Sequence, residues 1–165
     1  MIIHFESNVP YLPSPNSVEF VVSNKLAPCE LTMTSFMVPL LVDGSVVLAN
    51  NRRRGLEIPG GHVDLGETLC AAAHRETVEE TGYWVSNIRA LGYLRMESFG
   101  TVPAGWKYPH PTSYQQFFVG RVMYHEPYVE NDECLAPRVL SSSAAQILLN
   151  EQRRQIYLAA LLTIR

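Results

Sequence analysis

Hydrophobic and polar residues alternate along the chain in a pattern that predicts several strands around one central helix. Apolar stretches rich in Val, Leu, Met and Phe occupy residues 31–41 and 45–50, and Asp43-Gly44 separates them. Such a dipeptide between two apolar stretches is a strong signal for a hairpin. Apolar residues in the pattern of a strand also predict strands at 18–22, 84–97, 113–125 and 138–140.

Helical spacing begins near Glu67 or Thr68 and ends at Gly82, a residue that suits the left-handed conformation following a helix. The predicted core face of this helix carries small and apolar residues four positions apart, namely Leu69, Ala73 and Thr77, with Ala72 beside them. One or two closing helices are predicted at 142–149 and 151–162. Strands, a helix, further strands and closing helices together predict an α+β or mixed α/β domain, in which helices cover the faces of a mixed sheet.

The length and composition predict one soluble domain. The 165 residues suffice for a single core, and the irregular lead-in is expected to cover residues 1–16. A net charge of −3 gives no reason to expect binding to nucleic acid or to an anionic membrane. The three cysteines lack paired spacing, which indicates reduced thiols, and no apolar segment is long enough to cross a bilayer. A cytoplasmic protein is the expectation.

Three carboxylates on the central helix carry the chemical signal. Glu76, Glu79 and Glu80 are spaced i, i+3 and i+4, so they project from one face and repel one another. Two of them lie in the last turn, where the helix dipole is already negative. This arrangement becomes favourable when a cation binds among the carboxylates, and oxygen ligands without His or Cys favour Mg²⁺ or Mn²⁺ over Zn²⁺.

The spacing around these carboxylates resembles the Nudix box, G-x5-E-x7-R-E-U-x-E-E-x-G-U, where U is apolar. Residues 61–83 match all seven fixed positions, and Thr77 alone departs from the pattern, at a position where an aliphatic residue is expected. With each residue type at roughly one in twenty, a chance match at a given start is on the order of 10⁻⁹. The resemblance implies an α/β/α sandwich with a mixed sheet and metal-dependent hydrolysis of a diphosphate linkage.

The resemblance also implies roles for individual residues. Glu79 and Glu80 would be the principal ligands of Mg²⁺ or Mn²⁺, helped by Glu76 and by the backbone carbonyl of Gly60. Glu67 and Arg75 would orient these ligands. Glu76 is either a third ligand or the general base.

Many Nudix enzymes add a carboxylate from a later loop, as a ligand or as the general base. Glu133, shortly before the strand predicted at 138–140, is the best-placed candidate. Glu130, Asp132 and Glu97 compete with it, and an ordinary acidic surface loop explains the same residues.

Two segments outside the box are candidates for binding substrate. Arg53 and Arg54 follow the strand that leads into the box, and a guanidinium suits phosphate, although a solvated turn is the simpler explanation. Trp106 and Tyr108 lie in the long loop 99–112, where aromatic rings can stack on a nucleobase. Packing in a homodimer, or folding back onto the domain, would equally explain this loop.

Two functions agree with the sequence. The first is an enzyme that hydrolyses a nucleoside diphosphate derivative or a nucleoside triphosphate. The second is a Nudix-like domain that binds a nucleotide without cleaving it. The complete set of mutually repelling carboxylates favours the enzyme, because a non-catalytic domain has no need to keep them.

Overall fold

The computed structural model describes residues 1–164 and consists of one large mixed sheet with helices on both faces. The strands are β1 (Ile2–Ser7), β2 (Asn16–Val22), β3 (Thr32–Leu40), β4 (Val46–Asn51), β5 (Gly55–Glu57), β6 (Gly60–His62), β7 (Tyr83–Ser98), β8 (Thr112–His125) and β9 (Cys134–Leu140). The helices are α1 (Leu69–Thr81), α2 (Ser142–Leu148) and α3 (Glu151–Thr163), with one 3₁₀ turn at Cys29–Leu31.

The strand order is β1-β2-β7-β8-β3-β4-β5, with β6 paired to β3 and β9 paired to β4. The sheet is mixed because β3 and β8 run parallel while the other pairs are antiparallel. The predicted fold class, a mixed sheet in an α+β arrangement, is confirmed.

Alternate residues of the central strands point into two separate apolar layers. Phe118 and Met37 pack with Leu69 and Ala73 of α1 on one face. Their neighbours along β8 and β3 face the larger core on the other side, which includes Ile156 and Tyr157 of α3 among many others. The helices therefore cover opposite faces of the sheet, as the resemblance implies.

Local signals begin and end α1 where the sequence predicts. The Thr68 hydroxyl accepts a hydrogen bond from the Ala71 amide at 3.1 Å, which caps the first turn. Gly82 ends the helix with φ of 72°, and its amide donates to the Val78 carbonyl. The predicted core face is buried, consisting of Leu69, Ala72, Ala73 and Thr77.

The prediction of an irregular lead-in is wrong for residues 2–7, which form the edge strand β1 against β2. Ile2 and Phe5 remain exposed, so the apolar residues of this strand do not mark one buried face. A sequence prediction that looks for one buried apolar face therefore misses this strand. Backbone hydrogen bonds to β2 stabilise β1 instead.

The predicted turn at Asp43-Gly44 is present, with Gly44 at φ of 85° and the Ser45 amide bonded to the Asp43 carboxylate. The two strands beside it nevertheless pair only at Leu40 and Val46, because β4 pairs with β5 and β9 instead. The turn thus redirects the chain rather than closing a long hairpin.

No helix within residues 1–164 is long and apolar enough to span a membrane.

Gln116 of β8 links the sheet to the segment that precedes β3. Its side chain is fully buried. The carbonyl oxygen accepts a hydrogen bond from the Ala27 amide, and the amide nitrogen donates to the carbonyls of Gly92 and Phe117. A polar side chain in this position is stable because all three bonds are made.

Replacement of Gln116 by Leu should lower the free energy of unfolding by about 2–4 kcal/mol, because buried polar groups on three residues lose their partner. Urea denaturation measures the effect, and Gln146→Leu on the exposed face of α2 is the control. A loss no larger than that of the control would show that water satisfies these groups as well as Gln116 does.

Candidate active site

Two glycines bring strand β6 against helix α1. The Gly60 amide donates to Glu80 Oε2 at 2.9 Å. At Gly61 a Cβ atom would lie 2.5 Å from Glu76 Oε1, so the absence of a side chain leaves room for that carboxylate. Both glycines pair with β3, which fixes their distance from the sheet. The glycines therefore allow the helix carboxylates to lie directly on the backbone of β6.

Arg75 binds the remaining carboxylates. Its Nε and Nη2 atoms donate to the two oxygens of Glu67 at 3.1 and 3.0 Å, a bidentate contact. Its Nη1 atom donates to Glu76 Oε1 at 2.9 Å and to Glu79 Oε2 at 3.2 Å. Nη2 also donates to the carbonyl of His62 at 3.0 Å. One guanidinium thus joins three carboxylates of the box to the backbone of β6.

These contacts change the acidity of the groups involved. Hydrogen bonds from Arg75 lower the pKa of Glu67, and the bond to Glu67 is the main reason that the pKa of Arg75 is raised. Burial raises the pKa of Glu76 in spite of its bond to Arg75. The side chains of Glu67 and Glu76 are 16% and 17% exposed, whereas that of Glu79 is 57% exposed. Glu79 is therefore the member of the cluster that is open to solvent.

Within residues 1–164, Arg75 forms no salt bridge with Glu80. The Glu80 carboxylate lies between the Gly60 amide and the thiol of Cys134, whose Sγ is 3.9 Å from Glu80 Oε1. Burial raises the pKa of Glu80 to about 7, and the charges of Glu76 and Glu133 act in the same direction. The site therefore holds more buried negative charge than its own cations neutralise.

The carboxylates line a cleft of about 300 Å³ whose wall is formed by α1 and the segment before β9. The lining residues are Glu76, Glu79, Glu80, Asn131, Asp132, Glu133 and Cys134. The donor set fits a hard divalent cation, since it offers several carboxylate oxygens, and Glu80, Asp132 and Glu133 form no salt bridge within residues 1–164.

This site is not preassembled. Within the described part of the chain, no three His, Cys, Asp or Glu side chains already form a metal-binding group. Oxygens of Glu76 and Glu79 instead bind the same nitrogen of Arg75. Arg75 binds one oxygen of each, Glu76 Oε1 and Glu79 Oε2, so coordination by these carboxylates would use the second oxygen of each or share the first with Arg75.

The later-loop carboxylates occupy different positions. Glu133 and Asp132 line the cleft, and the charge of Glu133 acts on Glu80. Glu130 instead binds Arg52 at 3.2 Å and accepts from the Ala136 amide. Glu97 lies on β7 opposite Thr112 and is not among the cleft residues. The structure thus brings Glu133 and Asp132 to the site and leaves the other two candidates away from it.

The three consecutive arginines also differ. Arg52 binds the segment before β9 through the Asn131 carbonyl and Glu130, a structural role that its sequence position does not reveal. Arg54 lies 4.0 Å from Glu57, and its charge lowers the pKa of Glu80. The Arg53 side chain makes no hydrogen bond or salt bridge with residues 1–164. Arg54 is therefore the arginine of this turn that acts on the carboxylates.

A second cavity, of about 190 Å³, lies beside the beginning of β3 and β8. It is lined by Tyr11, Leu12, Met33, Thr34, Met96, Trp106, Tyr108, Ser113, Tyr114 and Gln115. The rings of Trp106 and Tyr108 meet edge to face at 5.5 Å, and the Tyr108 hydroxyl lies 3.3 Å from His62 Nε2. The loop 99–112 thus folds back onto the domain and lines a cavity as it does so.

Of the residues that line this cavity, the sequence predicts only Trp106 and Tyr108 as candidates for binding substrate. The other lining residues, such as Tyr11, Thr34 and Gln115, come from distant segments, and no local pattern marks them. Cys134 lies in the cleft without any signal in the sequence, because a single cysteine after an acidic loop carries no sign of its neighbours.

The model of the NUDIX domain matches residues 31–160, most of the chain. The chain belongs to the Nudix family. Its interpretation as a Nudix pyrophosphohydrolase is confirmed at the level of the family. No curated protein sequence matches the chain significantly.

Solved structures of Nudix proteins share the fold. The Bacillus subtilis pyrophosphohydrolase BsRppH superposes with a TM-score of 0.69 at 19% identity, over 98% of this chain and 97% of its own. A Nudix hydrolase from Nitrosomonas europaea gives 0.57 at 20% identity, over 80% of this chain and 89% of its own. The E. coli dihydroneopterin triphosphate pyrophosphohydrolase gives 0.53 at 20% identity, over 79% and 94%. At these identities the likeness establishes the Nudix fold.

Replacement of Gly61 by Ala should displace the Glu76 carboxylate while changing stability by less than about 1 kcal/mol, because the end of a flexible side chain can move. We expect Mn²⁺ to bind about tenfold more weakly, as happens when groups that orient ligands are altered. Calorimetric titration with Mn²⁺ and urea denaturation measure the two effects.

Gly60→Ala is the matched comparison, since its Cβ would meet the Ser35 carbonyl and the Phe36 backbone at 2.5–2.6 Å. That variant should lose about 2–4 kcal/mol of stability. Unchanged Mn²⁺ affinity in Gly61→Ala would show that the position of Glu76 does not matter for the cation.

The pKa of Glu80 predicts how the stability of the metal-free protein depends on pH. Folding raises this pKa from 4.5 to about 7, so the folded protein holds the proton more tightly than the unfolded chain does. The resulting contribution to stability is fully present below pH 4.5 and is lost as the pH rises through about 7.

Urea denaturation in EDTA across this pH range should show the decline, and Glu80→Gln should reduce its slope because the amide does not ionise. Equal slopes in the two proteins would mean that Glu80 is ionised in the folded state over the whole range.

Proposed function

We propose that this Nudix protein hydrolyses a diphosphate linkage in a nucleoside diphosphate derivative or a nucleoside triphosphate, by metal-dependent attack of water on phosphorus. The observation that carries the proposal is the cleft lined by five carboxylates, three of which have no salt bridge within residues 1–164, in a molecule that also has a cavity lined by aromatic rings. His62 of β6 links residues of the two sites, since its side chain contacts Tyr108 of the cavity and its carbonyl accepts a hydrogen bond from Arg75, which binds the carboxylates. Pyrophosphohydrolases among the proteins of similar fold support the reaction class.

The helix carboxylates would hold the metal. Nudix hydrolases generally use divalent metals, and the oxygen donors here suit Mg²⁺ or Mn²⁺. Glu79 and Glu80 would be the main ligands, with Glu76 and the Gly60 carbonyl beside them. When bound, the metal supplies activation of the attacking water and neutralises charge on the phosphate oxygens.

Arg75 and Glu67 act as positioning residues in this proposal. The bidentate contact between them fixes the direction of the guanidinium, which in turn holds one oxygen each of Glu76 and Glu79. Glu79 is the more exposed of the two and has the freedom to turn toward a cation.

Two carboxylates are candidates for the general base. Burial raises the pKa of Glu76, which makes this group a better proton acceptor than an ordinary glutamate, but Arg75 binds one of its oxygens. Glu133 lies on the opposite wall of the cleft, and its side chain has no hydrogen-bonding partner within residues 1–164. Either group can accept a proton from water in the cleft.

The substrate would lie across both sites. Aromatic side chains such as Trp106 and Tyr108 suit a planar ring, which can stack on them. Arg54, whose charge already reaches Glu80, suits a phosphate at the edge of the cleft, and Arg53 is exposed beside it. A nucleotide satisfies both requirements because it joins a planar ring to phosphates.

All three cysteines are free, and Cys29 is exposed. These thiols support the proposal that the protein acts in a reducing compartment such as the cytoplasm.

Glu80→Gln should lower kcat by at least about a hundredfold on every diphosphate substrate that the wild type cleaves, because a catalytic metal contributes several kcal/mol to the transition state. The assay is a panel of nucleoside triphosphates and nucleoside diphosphate derivatives with Mg²⁺ or Mn²⁺. Glu151→Gln, at the start of α3 on the opposite face of the sheet, is the control and should retain full activity.

An unchanged kcat in Glu80→Gln would contradict the assignment of Glu80. No cleavage by the wild type across the panel, with nucleotide binding intact, would favour a domain that binds nucleotides without hydrolysing them.

A further inference from the structure

His62 lies between Tyr108 of the aromatic cavity and Arg75, which binds the helix carboxylates. Its side chain is exposed, and its Nε2 lies 3.3 Å from the Tyr108 hydroxyl. The two rings are nearly parallel, with centroids 6.0 Å apart and 24° between their planes. The imidazole therefore lies against Tyr108, one of the aromatic residues that line the cavity.

The backbone of the same residue belongs to the carboxylate site. The His62 carbonyl accepts a hydrogen bond from Arg75, the residue that binds Glu67, Glu76 and Glu79. One residue thus contacts a cavity residue, Tyr108, through its side chain and the carboxylate-binding Arg75 through its carbonyl.

Strand pairing fixes the distance between the two sites. On β6, Gly60 binds Glu80, Gly61 lies against Glu76, and His62 pairs with Thr34, a residue of the cavity wall. Two steps along the strand, from Gly60 to His62, span about 7 Å at ~3.3 Å per residue. A ligand with its ring beside Tyr108 and its phosphates at the carboxylates therefore has the exposed His62 side chain within reach of the short polar part between them.

We propose that His62 is a substrate-positioning residue that contacts the sugar and first phosphate of a nucleotide whose ring lies in the aromatic cavity. This inference rests on the proposed function and narrows its substrate class to compounds that join ring and diphosphate through one sugar-sized linker. Tyr108 holds the imidazole in place through its hydroxyl, and Trp106 supports Tyr108 from behind.

The chain offers sharply matched variants. His62→Ala removes the side chain but keeps the carbonyl that binds Arg75, so the carboxylate cluster stays in place. His62→Gln keeps a polar group for Tyr108. His74, the other histidine of the box segment, packs edge to face on Trp84 at 5.4 Å and is the control.

Binding can be measured without hydrolysis. Isothermal titration with Mg²⁺ present would compare adenosine and guanosine monophosphates with ribose 5-phosphate, which lacks the ring. We expect the better-bound nucleoside monophosphate to bind about tenfold or more tightly than ribose 5-phosphate. Trp106→Ala should remove this difference in affinity, because the variant loses a ring on which the base can stack. His62→Ala should weaken the monophosphates and ribose 5-phosphate by the same factor, about tenfold, because the part that His62 contacts is common to all of them.

Steady-state kinetics provides the second measurement. His62→Ala should raise KM for a cleaved nucleoside triphosphate by about tenfold and change kcat less than about threefold, His62→Gln should restore most of the loss, and His74→Ala should leave both constants unchanged. A merely structural role would instead lower the melting temperature and reduce kcat as well as raise KM.

Unchanged binding of ribose 5-phosphate in His62→Ala, or an unchanged KM, would overturn the assignment of His62 and leave the hydrolase proposal intact. Binding that depends on His62 in a wild-type protein that cleaves no diphosphate would support the assignment and refute the proposed hydrolysis.

Discussion

The contact between Arg75 and the carboxylates of helix α1 is the interaction on which the site depends. Like charges three and four residues apart cost a few tenths of a kcal/mol each on an exposed helix, and burial makes their repulsion stronger. The bidentate bond to Glu67 holds the guanidinium, so that its remaining nitrogen can bind Glu76 and Glu79. One cation does not neutralise four carboxylates. Glu80 is left with a raised pKa and only neutral partners in contact, and this imbalance is what a divalent metal would correct.

Close approach of helix and sheet makes this crowding unavoidable. The buried face of α1 carries Ala72, Ala73 and Thr77, small residues that let the helix lie near β3 and β6. The glycines of β6 then leave space for carboxylates that would otherwise point into solvent. The apolar layers on both faces of the sheet stabilise the domain, and repulsion between the carboxylates of the site lowers that stability.

Strand β6 gives the molecule its functional geometry in spite of its three residues. It pairs with β3, contacts α1 through its glycines, and presents His62 to the loop 99–112. A short strand fixed in this way sets two sites at a defined spacing, because neither end can slide without breaking the pairing with Thr34 and Phe36. In the proposed function, the backbone of β6 would thereby set the distance between the bound ring and the diphosphate.

The sequence alone predicted the parts of this protein that depend on near neighbours in the chain. Helix α1, its Thr68 and Gly82 caps and its carboxylate face follow from residues within a few turns of one another, and the spacing of the box identified the family. The strand β1, the position of Glu133 and Cys134 beside Glu80, and the cavity that combines Tyr11, Thr34 and Trp106 were decided only by the tertiary structure. Pairing between strands far apart in sequence brings these groups together, and a local hydrophobic pattern records which residues are buried but not which residues they meet.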